Sequence, residues 1–396
     1  MIENFTYYNP TKVYFGNGEL DKLSRELLQW GSRVLLVCGG RSIQESGLLD
    51  KITKEISIAG MEGFSLSGVK PNPEIATVRA GIEICRREQL DLIIAAGGGS
   101  VIDTAKAIAG GVPYNTDPWE LIRERAQIPK ALPVIATPTM ASTGSEMNAC
   151  TVITNPETQE KYGWTAEALR PKAAFLCPEN TYSVPAFQTA AGCADILSHL
   201  MEVYFNQEKG FDATDGFMEA MMRSVIHYAP IAMAEGNNEE ARANLLWTAS
   251  WAINNYIDRG HRTAWICHGI EHELSAIYGI THGLGLAILT PAFLTYVLDE
   301  KTAPKIAQFA VNVMGVKPKK KTTTEIAKKG IRKLAKFFQK DLKLASNLSA
   351  LGIDDSRFAE MAEKTIAWKG KEGRIEGFIS LSAEDLVEIY KLALGD

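Results

Sequence analysis

The sequence has few cysteines and no arrangement of them that suggests disulfide bonds. Six cysteines are scattered along 396 residues, and no two of them form a CxxC pair. Small secreted domains that depend on disulfides have a much higher cysteine density, so this composition predicts reduced thiols and a cytoplasmic protein. The N-terminus also lacks a basic segment followed by an apolar stretch, which argues against a signal peptide.

Long apolar runs and a strong excess of one charge are also missing. The longest apolar run, residues 283–298, is interrupted by Pro291 and falls short of a membrane span. The formal net charge is −5 and 22% of the residues are charged, which is typical of a soluble globular protein and predicts neither a membrane nor a nucleic-acid partner. One basic run, residues 317–338, has helical spacing, and we interpret it as a solvated helix face.

The chain is too long for one ordinary core, and its pattern changes near Pro185. Before that point, strand-like segments alternate with helix-like ones; the strand-like segments are residues 32–40, 62–69, 90–100 and 131–139. This alternation predicts a Rossmann-like α/β domain with a parallel sheet over residues 1–184. Long amphipathic stretches follow, which predict an all-α domain over residues 185–396.

A glycine-rich turn separates one predicted strand from the next predicted helix. It consists of Gly97, Gly98, Gly99 and Ser100. Glycines let the backbone approach a ligand closely, and a helix N-terminus offers free N–H groups to an anion such as a pyrophosphate. The turn does not match the GxGxxG fingerprint, so a plain tight βα turn is an equal alternative.

A second strand ends in Gly39, Gly40, Arg41 and Ser42. Ligands of open parallel sheets bind at the carboxyl ends of strands, so we expect this loop to hold the adenosine ribose of a dinucleotide. The loop has no acidic residue for the ribose hydroxyls, whereas a guanidinium and a hydroxyl suit a 2′-phosphate. We therefore predict that NADP(H) is favoured over NAD(H).

Three of the six histidines lie within residues 265–283, and a fourth has a carboxylate partner. Asp195 and His199 are four residues apart on one predicted helix face and can reach one ion. Taken alone, such a pair is more often a buried polar contact. With His268 and His282, the two residues form a set that suits iron(II) or zinc.

Two further features of this region left alternatives open. Glu202, one helical turn beyond His199, is a weaker candidate for an extra ligand. Residues 268–272 also match HxxEH, a zinc motif of some metalloproteases, which keeps hydrolysis as an alternative.

Taken together, the motifs of the chain resemble those of the iron-containing (group III) alcohol dehydrogenases, and in particular the NAD(P)H-dependent butanol dehydrogenases. The resemblance covers nearly the whole length and rests on a series of segments in the same order. They include PTKVYFGNG, GVKPNPEIATV, GGGSVIDTAKAI, TGSEMNACTVITN, GCADILSHLMEVYF and HGIEHELSAIYGITHGLGLAILTP.

The resemblance implies an α/β domain for the nicotinamide cofactor, a helical domain for Fe²⁺ or Zn²⁺, an active site between them, and a homodimer. It assigns the metal ligands to Asp195, His199, His268 and His282. It places His272 close to the nicotinamide as a catalytic residue that either handles protons or orients cofactor and substrate. The cofactor contacts that it implies are Gly39, Gly40, Ser42, Gly98, Gly99, Ser100, Asp103, Thr139, Thr143 and Lys161. Arg41 departs from the family pattern, in which a small residue is usual at this position.

The resemblance predicts a metal-dependent alcohol dehydrogenase or aldehyde reductase that acts on short-chain primary alcohols and aldehydes such as butanol and butanal. A metal-dependent lyase of the dehydroquinate synthase type and an HxxEH metallohydrolase are the alternatives.

Overall fold

A computed structural model of the chain describes residues 3–208 and 210–395. These residues form two compact units, which we call the sheet unit and the helical unit. The sheet unit comprises residues 8–185 and 235–254. The helical unit comprises the described residues among 1–7, 186–234 and 255–396.

The sheet unit contains a parallel sheet of six strands. The strands of the chain are β1 (Lys12–Phe15), β2 (Arg33–Cys38), β3 (Glu62–Leu66), β4 (Leu92–Gly97), β5 (Val134–Pro138), β6 (Cys150–Asn155), β7 (Glu160–Thr165), β8 (Ala173–Leu176), β9 (Ile375–Glu376) and β10 (Ser380–Leu381). The order in the large sheet is β1-β8-β5-β4-β2-β3, and every pair is parallel.

The central strands are buried on both faces. All residues of β4 are buried, as are all residues of β2 except Arg33. Continuous apolar runs of this kind are typical of strands that are covered by helices on both sides. The predicted parallel α/β architecture is therefore confirmed.

The connection of the strands changes direction between β2 and β4. The strand β2 pairs with β3 on one side and with β4 on the other. The chain therefore adds β3 at one edge of the sheet and then crosses back to add β4 on the opposite side of β2. In an open parallel sheet, the crevice at such a point is where ligands bind. Both glycine-ended loops that the sequence indicated follow these two strands.

A two-stranded antiparallel hairpin, formed by β6 and β7, completes the sheet unit. The sequence pattern predicts no strands here, nor does it predict β1 or β8. The hairpin strands are six residues long and mix buried with half-buried positions, so they lack the clear alternation that marks a strand with one face exposed.

Helices form the rest of the fold. They are α1 (Leu23–Leu27), α2 (Ser42–Glu45), α3 (Leu48–Ile58), α4 (Ile75–Arg87), α5 (Gly99–Gly111), α6 (Pro118–Arg123), α7 (Ala186–Tyr204), α8 (Asp212–Ala234), α9 (Glu239–Trp251), α10 (Ile266–Tyr278), α11 (His282–Tyr296), α12 (Ala303–Asn312), α13 (Thr323–Lys336), α14 (Phe358–Lys369) and α15 (Ala383–Leu394).

The helical unit is arranged around α7 and α11, which pack against each other. Buried residues occur on every side of α11, as expected for a helix at the centre of a core. The helix α10 packs against both α11 and α14. None of the helices within residues 3–208 and 210–395 has the length and apolar character needed to cross a lipid bilayer.

The structure departs from the sequence prediction at two places in the second half. The helix α9 belongs to the sheet unit, because Ser250 donates a hydrogen bond to buried Glu146 and the backbone of Ala249 lies against Gly144. The predicted all-α half also contains the short antiparallel pair of β9 and β10. Strands of two residues are too short to produce a periodic pattern in sequence.

Candidate functional site

One face of α7 carries the first two candidate ligands. Asp195 and His199 are four residues apart and both are buried. The Nε2 atom of His199 lies 3.4 Å from Oδ1 of Asp195. The predicted helical spacing thus places both side chains on one side of the helix.

The other two candidates come from different helices. His268 lies in the first turn of α10, and His282 is the first residue of α11. Their Nε2 atoms lie 3.8 and 3.6 Å from the same Oδ1 atom of Asp195. We call Asp195, His199, His268 and His282 the ligand cluster. The structure therefore brings together all four residues that the sequence analysis named as metal ligands.

The ligand cluster is closed on most sides. The side chains of Asp195, His199 and His268 are 2%, 5% and 9% exposed, whereas that of His282 is 22% exposed. A catalytic metal site needs protein ligands on most sides and one accessible position for substrate. His282 is the most exposed of the four residues, so the accessible position for substrate lies on its side of the cluster.

The charges in the cluster are strongly coupled. Burial opposes ionisation of Asp195, but the neighbouring histidines outweigh it and hold the pKa of this carboxyl well below its usual value. Burial lowers the pKa of His199 to about 3. Burial also disfavours charge on His268, yet contacts with Asp195 and Glu202 raise the pKa of His268.

The cluster fits a divalent cation. Among the described residues, no hydrogen-bond partner is found for the buried Nε2 atom of His268, which faces Asp195. Potential ligand atoms of Asp195, His268 and His282 lie within 4.8 Å of one another. One carboxylate and several imidazoles form a donor set that iron(II) and zinc accept.

His272 lies beside the cluster rather than in it. Its ring centroid is 5.6 Å from that of His282, and with Glu271 and His282 it forms a second close group. The structure thus places His272 near the candidate metal site, one helical turn beyond His268.

Two carboxylates lie beside the cluster, and the sequence did not predict their contacts with the histidines. Glu202 contacts Nδ1 of His268 at 3.2 Å, and Glu271 contacts Nδ1 of His282. The sequence indicates Glu202 as a weaker candidate for an extra ligand, but its carboxylate lies on the Nδ1 side of His268. Its sequence position, seven residues after Asp195, is the one signal that places it on the same face of α7.

The glycine turn in the sheet unit is tightly packed on one side and open on the other. A Cβ atom at Gly99 would lie 2.3 Å from Oγ1 of Thr143, whereas a Cβ atom at Gly98 would meet no atom within 4 Å. The backbone N–H of Thr139 donates to the carbonyl of Gly97. Gly98, Gly99, Thr139 and Thr143 are therefore brought together at the start of α5, with Ser100 in its first turn.

The loop after β2 borders a cavity of about 870 Å³, a size typical of ligand pockets. Its lining includes Gly39, Gly40, Arg41, Ser65 and Ser67. Ser42 begins α2 directly after Arg41. Glycine backbone, a guanidinium and hydroxyls are groups that suit a ribose or a phosphate.

Asp103 and Lys161 have partners within the protein. The carboxylate of Asp103 accepts hydrogen bonds from Oγ of Ser145 at 2.5 Å and from the backbone N–H of Val152 at 3.0 Å. Burial raises the pKa of Asp103, while the nearby charge of Lys161 is among the groups that oppose this rise. The ammonium group of Lys161 also donates to Oδ1 of Asn72 at 3.0 Å.

A buried lysine that the sequence analysis missed organises the same region. Nζ of Lys106 donates to Oγ of Ser145, Oδ1 of Asn148 and the carbonyl of Cys150, at 2.8, 3.0 and 2.8 Å. Burial lowers the pKa of Lys106 to about 8. These bonds hold the segment that follows Thr143 against α5, and a lone lysine in a helix gives no sequence signal for such a role.

Comparison with known protein families covers almost the whole chain. Residues 10–178 match the model of the iron-containing alcohol dehydrogenases, and residues 189–394 match the C-terminal domain model of the same family. The chain belongs to the iron-containing alcohol dehydrogenase family. It is an alcohol dehydrogenase of a family that uses a divalent metal and a nicotinamide cofactor, so the predicted reaction class is confirmed.

Individual members of the iron-containing alcohol dehydrogenases are similar over their full length. The chain is 44% identical to NADH-dependent butanol dehydrogenase A of Clostridium acetobutylicum, over 98% of this chain and 99% of that protein. It is 32% identical to the NADPH-dependent aldehyde reductase of Escherichia coli, over 92% and 93% of the two chains. The crystal structure of NADH-dependent butanol dehydrogenase A from Thermotoga maritima superposes with a TM-score of 0.93 at 35% identity, over 99% of both chains.

Proposed function

We propose that this iron-containing alcohol dehydrogenase interconverts short-chain primary alcohols and aldehydes, such as butanol and butanal, with a divalent metal held by Asp195, His199, His268 and His282. The convergence of three imidazole Nε2 atoms on one buried carboxylate oxygen, at 3.4 to 3.8 Å, carries the proposal. Names of relatives that act on butanol support the substrate class.

The chemistry needs an electrophile, a hydride carrier and a proton path. A bound Fe²⁺ or Zn²⁺ supplies Lewis acidity towards the oxygen of the substrate, and the nicotinamide supplies or accepts hydride. The protein provides a buried cluster in which the side chain of His282 is the most exposed of the four. His272, whose ring lies 5.6 Å from that of His282, handles the proton of the substrate hydroxyl.

Replacement of His272 by alanine is expected to lower kcat by about a hundredfold while the metal content stays at the wild-type level, because positioned proton transfer contributes about 10²–10⁴-fold to a rate. The measurement is steady-state kinetics together with metal analysis of the same sample. His227→Ala is the matched control, since His227 is exposed on α8. Loss of metal from the His272 variant would place this residue in the cluster instead.

We propose that the cofactor binds at the glycine-ended loops of the sheet unit, with contacts from Gly39, Gly40, Arg41, Ser42, Gly98, Gly99, Ser100, Thr139 and Thr143. The position of both loops at the point where the strand connection reverses supports this assignment. Asp103 and Lys161 belong to the same proposed cofactor site. Asp103 accepts a hydrogen bond from Ser145, and Lys161 is one of the charged groups that interact with Asp103.

Arg41 decides between the two nicotinamide cofactors in this proposal. Its side chain is exposed beside the cavity, and within the described residues no carboxylate forms an ion pair with it. The butanol dehydrogenases of C. acetobutylicum and T. maritima are named NADH-dependent, whereas the E. coli reductase, which is less similar to this chain, is named NADPH-dependent. These names do not support the predicted preference for NADPH, which stays a prediction that depends on this one guanidinium.

Arg41→Ala is expected to raise KM for NADPH by about tenfold and to leave KM for NADH nearly unchanged, because a charge-assisted hydrogen bond to a phosphate contributes about 1.5–3 kcal/mol. Initial rates with butanal and each cofactor test this. Equal changes in the two KM values would show that Arg41 does not contact the 2′-phosphate.

The structure argues against the hydrolase alternative at Glu271. In an HxxEH protease this glutamate must be free to act on water. Here its side chain is fully buried, and it contacts His282 and accepts a hydrogen bond from Ser275. Its carboxylate is thus occupied by protein groups.

The proposed function is tested on protein purified without oxygen. We expect consumption of nicotinamide cofactor with butanal, loss of this activity on chelation, and recovery with Fe(II) or Zn(II). Peptide cleavage without cofactor, or full activity after complete removal of metal, would contradict the proposal. The cytoplasmic location is proposed from the scattered cysteines, and the homodimer from the family resemblance. Sedimentation in solution tests the dimer.

A further inference from the structure

Glu202 connects the two helices that carry most of the ligand cluster. It follows Asp195 and His199 on one face of α7, and its side chain is only 7% exposed. Its two carboxylate oxygens accept hydrogen bonds from the backbone N–H groups of Ile266 and His268, both at 2.9 Å. One buried carboxylate of α7 therefore binds the beginning of α10.

The beginning of α10 lacks an ordinary cap. The residue at the N-cap position, Trp265, has a left-handed backbone with φ 53° and ψ 50°, and its side chain forms no capping hydrogen bond. The first N–H groups of a helix have no partner within the helix, and an anion there also interacts favourably with the helix dipole. Glu202 supplies both the acceptors and the negative charge that Trp265 does not.

The same carboxylate orients an imidazole. Oε1 of Glu202 lies 3.2 Å from Nδ1 of His268. A hydrogen bond to a carboxylate places the proton on Nδ1 and leaves the lone pair on Nε2. That Nε2 atom faces Asp195 at 3.8 Å.

The next histidine repeats this arrangement on another helix. Nδ1 of His282 contacts the fully buried carboxylate of Glu271, which in turn accepts a hydrogen bond from Ser275. Nε2 of His282 faces Asp195 at 3.6 Å. Two imidazoles from different helices are thus held in the same way, each with its carboxylate on the side away from the cluster.

We propose that Glu202 and Glu271 are positioning residues that hold His268 and His282 in the tautomer and orientation that bind the metal. This inference depends on the proposed metal site but goes beyond it, because neither glutamate is a ligand. Nδ1 and Nε2 lie on different sides of an imidazole ring, so a carboxylate at Nδ1 is directed away from an ion at Nε2. The four ligands alone do not complete the site.

The test compares zinc affinity in Glu202→Gln and Glu271→Gln with wild-type protein, by competition with a chelating dye. Each variant keeps all four ligands and nearly the same volume. We expect the dissociation constant for Zn²⁺ to rise about 10- to 100-fold, the range typical for loss of such a partner. At saturating zinc, each variant should still bind one ion per chain.

Glu219→Gln is the matched control. Glu219 is a buried carboxylate of α8 that binds Tyr204, Gln308 and Asn312, and it forms no hydrogen bond or ion pair with a histidine among the residues that the structure describes. Its loss should destabilise the helical unit without a change in zinc affinity. A similar loss of zinc affinity in this control would overturn the inference, because the effect would then be one of general stability.

Nitrogen-15 NMR of the histidines in metal-free wild-type protein at about pH 8.5 gives a second readout that needs no glutamate variant. We expect His268 and His282 to carry their proton on Nδ1, with signals assigned by single-histidine variants; protons on Nε2 would overturn the inference. Unchanged zinc affinity in both glutamine variants would also overturn it, while leaving the proposed function intact. Failure of wild-type protein to bind zinc or iron would overturn the proposed function itself.

Discussion

His268→Ala should lose its bound metal during purification and lose turnover with it. A four-ligand zinc site contributes about 10–16 kcal/mol, so one ligand is worth roughly a quarter of this and its loss weakens binding about 100- to 1,000-fold. The buried ring of His268 also separates Glu202 from Asp195. Its removal leaves two carboxylates in a buried site without the imidazole that pairs with both.

The measurement is metal content after purification without oxygen, followed by NADH and NADPH oxidation with butanal. His227→Ala serves again as the control for loss of a histidine from the helical unit. A His268→Ala protein that is fully loaded with metal and active would remove this residue from the ligand cluster.

Gly283→Ala should disrupt the ligand cluster although it removes no functional group. A Cβ atom at Gly283 would lie 1.9 Å from the carbonyl oxygen of Ala191 in α7, and rotation of a side chain cannot relieve a clash with backbone. The beginning of α11 must then move away from α7 and carry His282, the preceding residue, with it. Overpacking of this kind costs about 1–3 kcal/mol.

We expect a lower unfolding midpoint for Gly283→Ala and zinc binding weakened at least tenfold. Gly216→Ala is the matched control, because a Cβ atom at this exposed position of α8 would meet no atom within 4 Å. Alanine there should stabilise the protein slightly, since it has the higher helix propensity. Unchanged zinc affinity in Gly283→Ala would show that α11 tolerates the displacement.

The fold could be predicted where the pattern is local and strong. The apolar strands β2 and β4, each followed by glycines, indicated the parallel sheet. The hairpin of β6 and β7 was missed because its strands are partly polar and show no regular alternation, although they are as long as β2 and β4. The place of α9 was also missed, since an amphipathic helix shows that one face is buried but does not show against which partner.

The candidate site divides in the same way. The spacing of Asp195 and His199 was enough to place them on one face of α7, because the helical repeat fixes which side chains are neighbours. No spacing could show that His268 and His282, from two other helices, meet the same carboxylate oxygen. Their assignment depended on residue type and family resemblance until the packing of α7, α10 and α11 placed their Nε2 atoms 3.8 and 3.6 Å from Asp195.

By itself the sequence determined the class of fold, the glycine-ended loops and the chemical identity of the candidate ligands, because these follow from residue type and from contacts within a few residues. Only the tertiary structure decided which carboxylates contact Nδ1 of His268 and His282. Glu202 acts across 66 residues on His268, and Glu271 acts across 11 residues on His282. Such contacts depend on how helices pack, and packing is set by the whole core rather than by any local pattern.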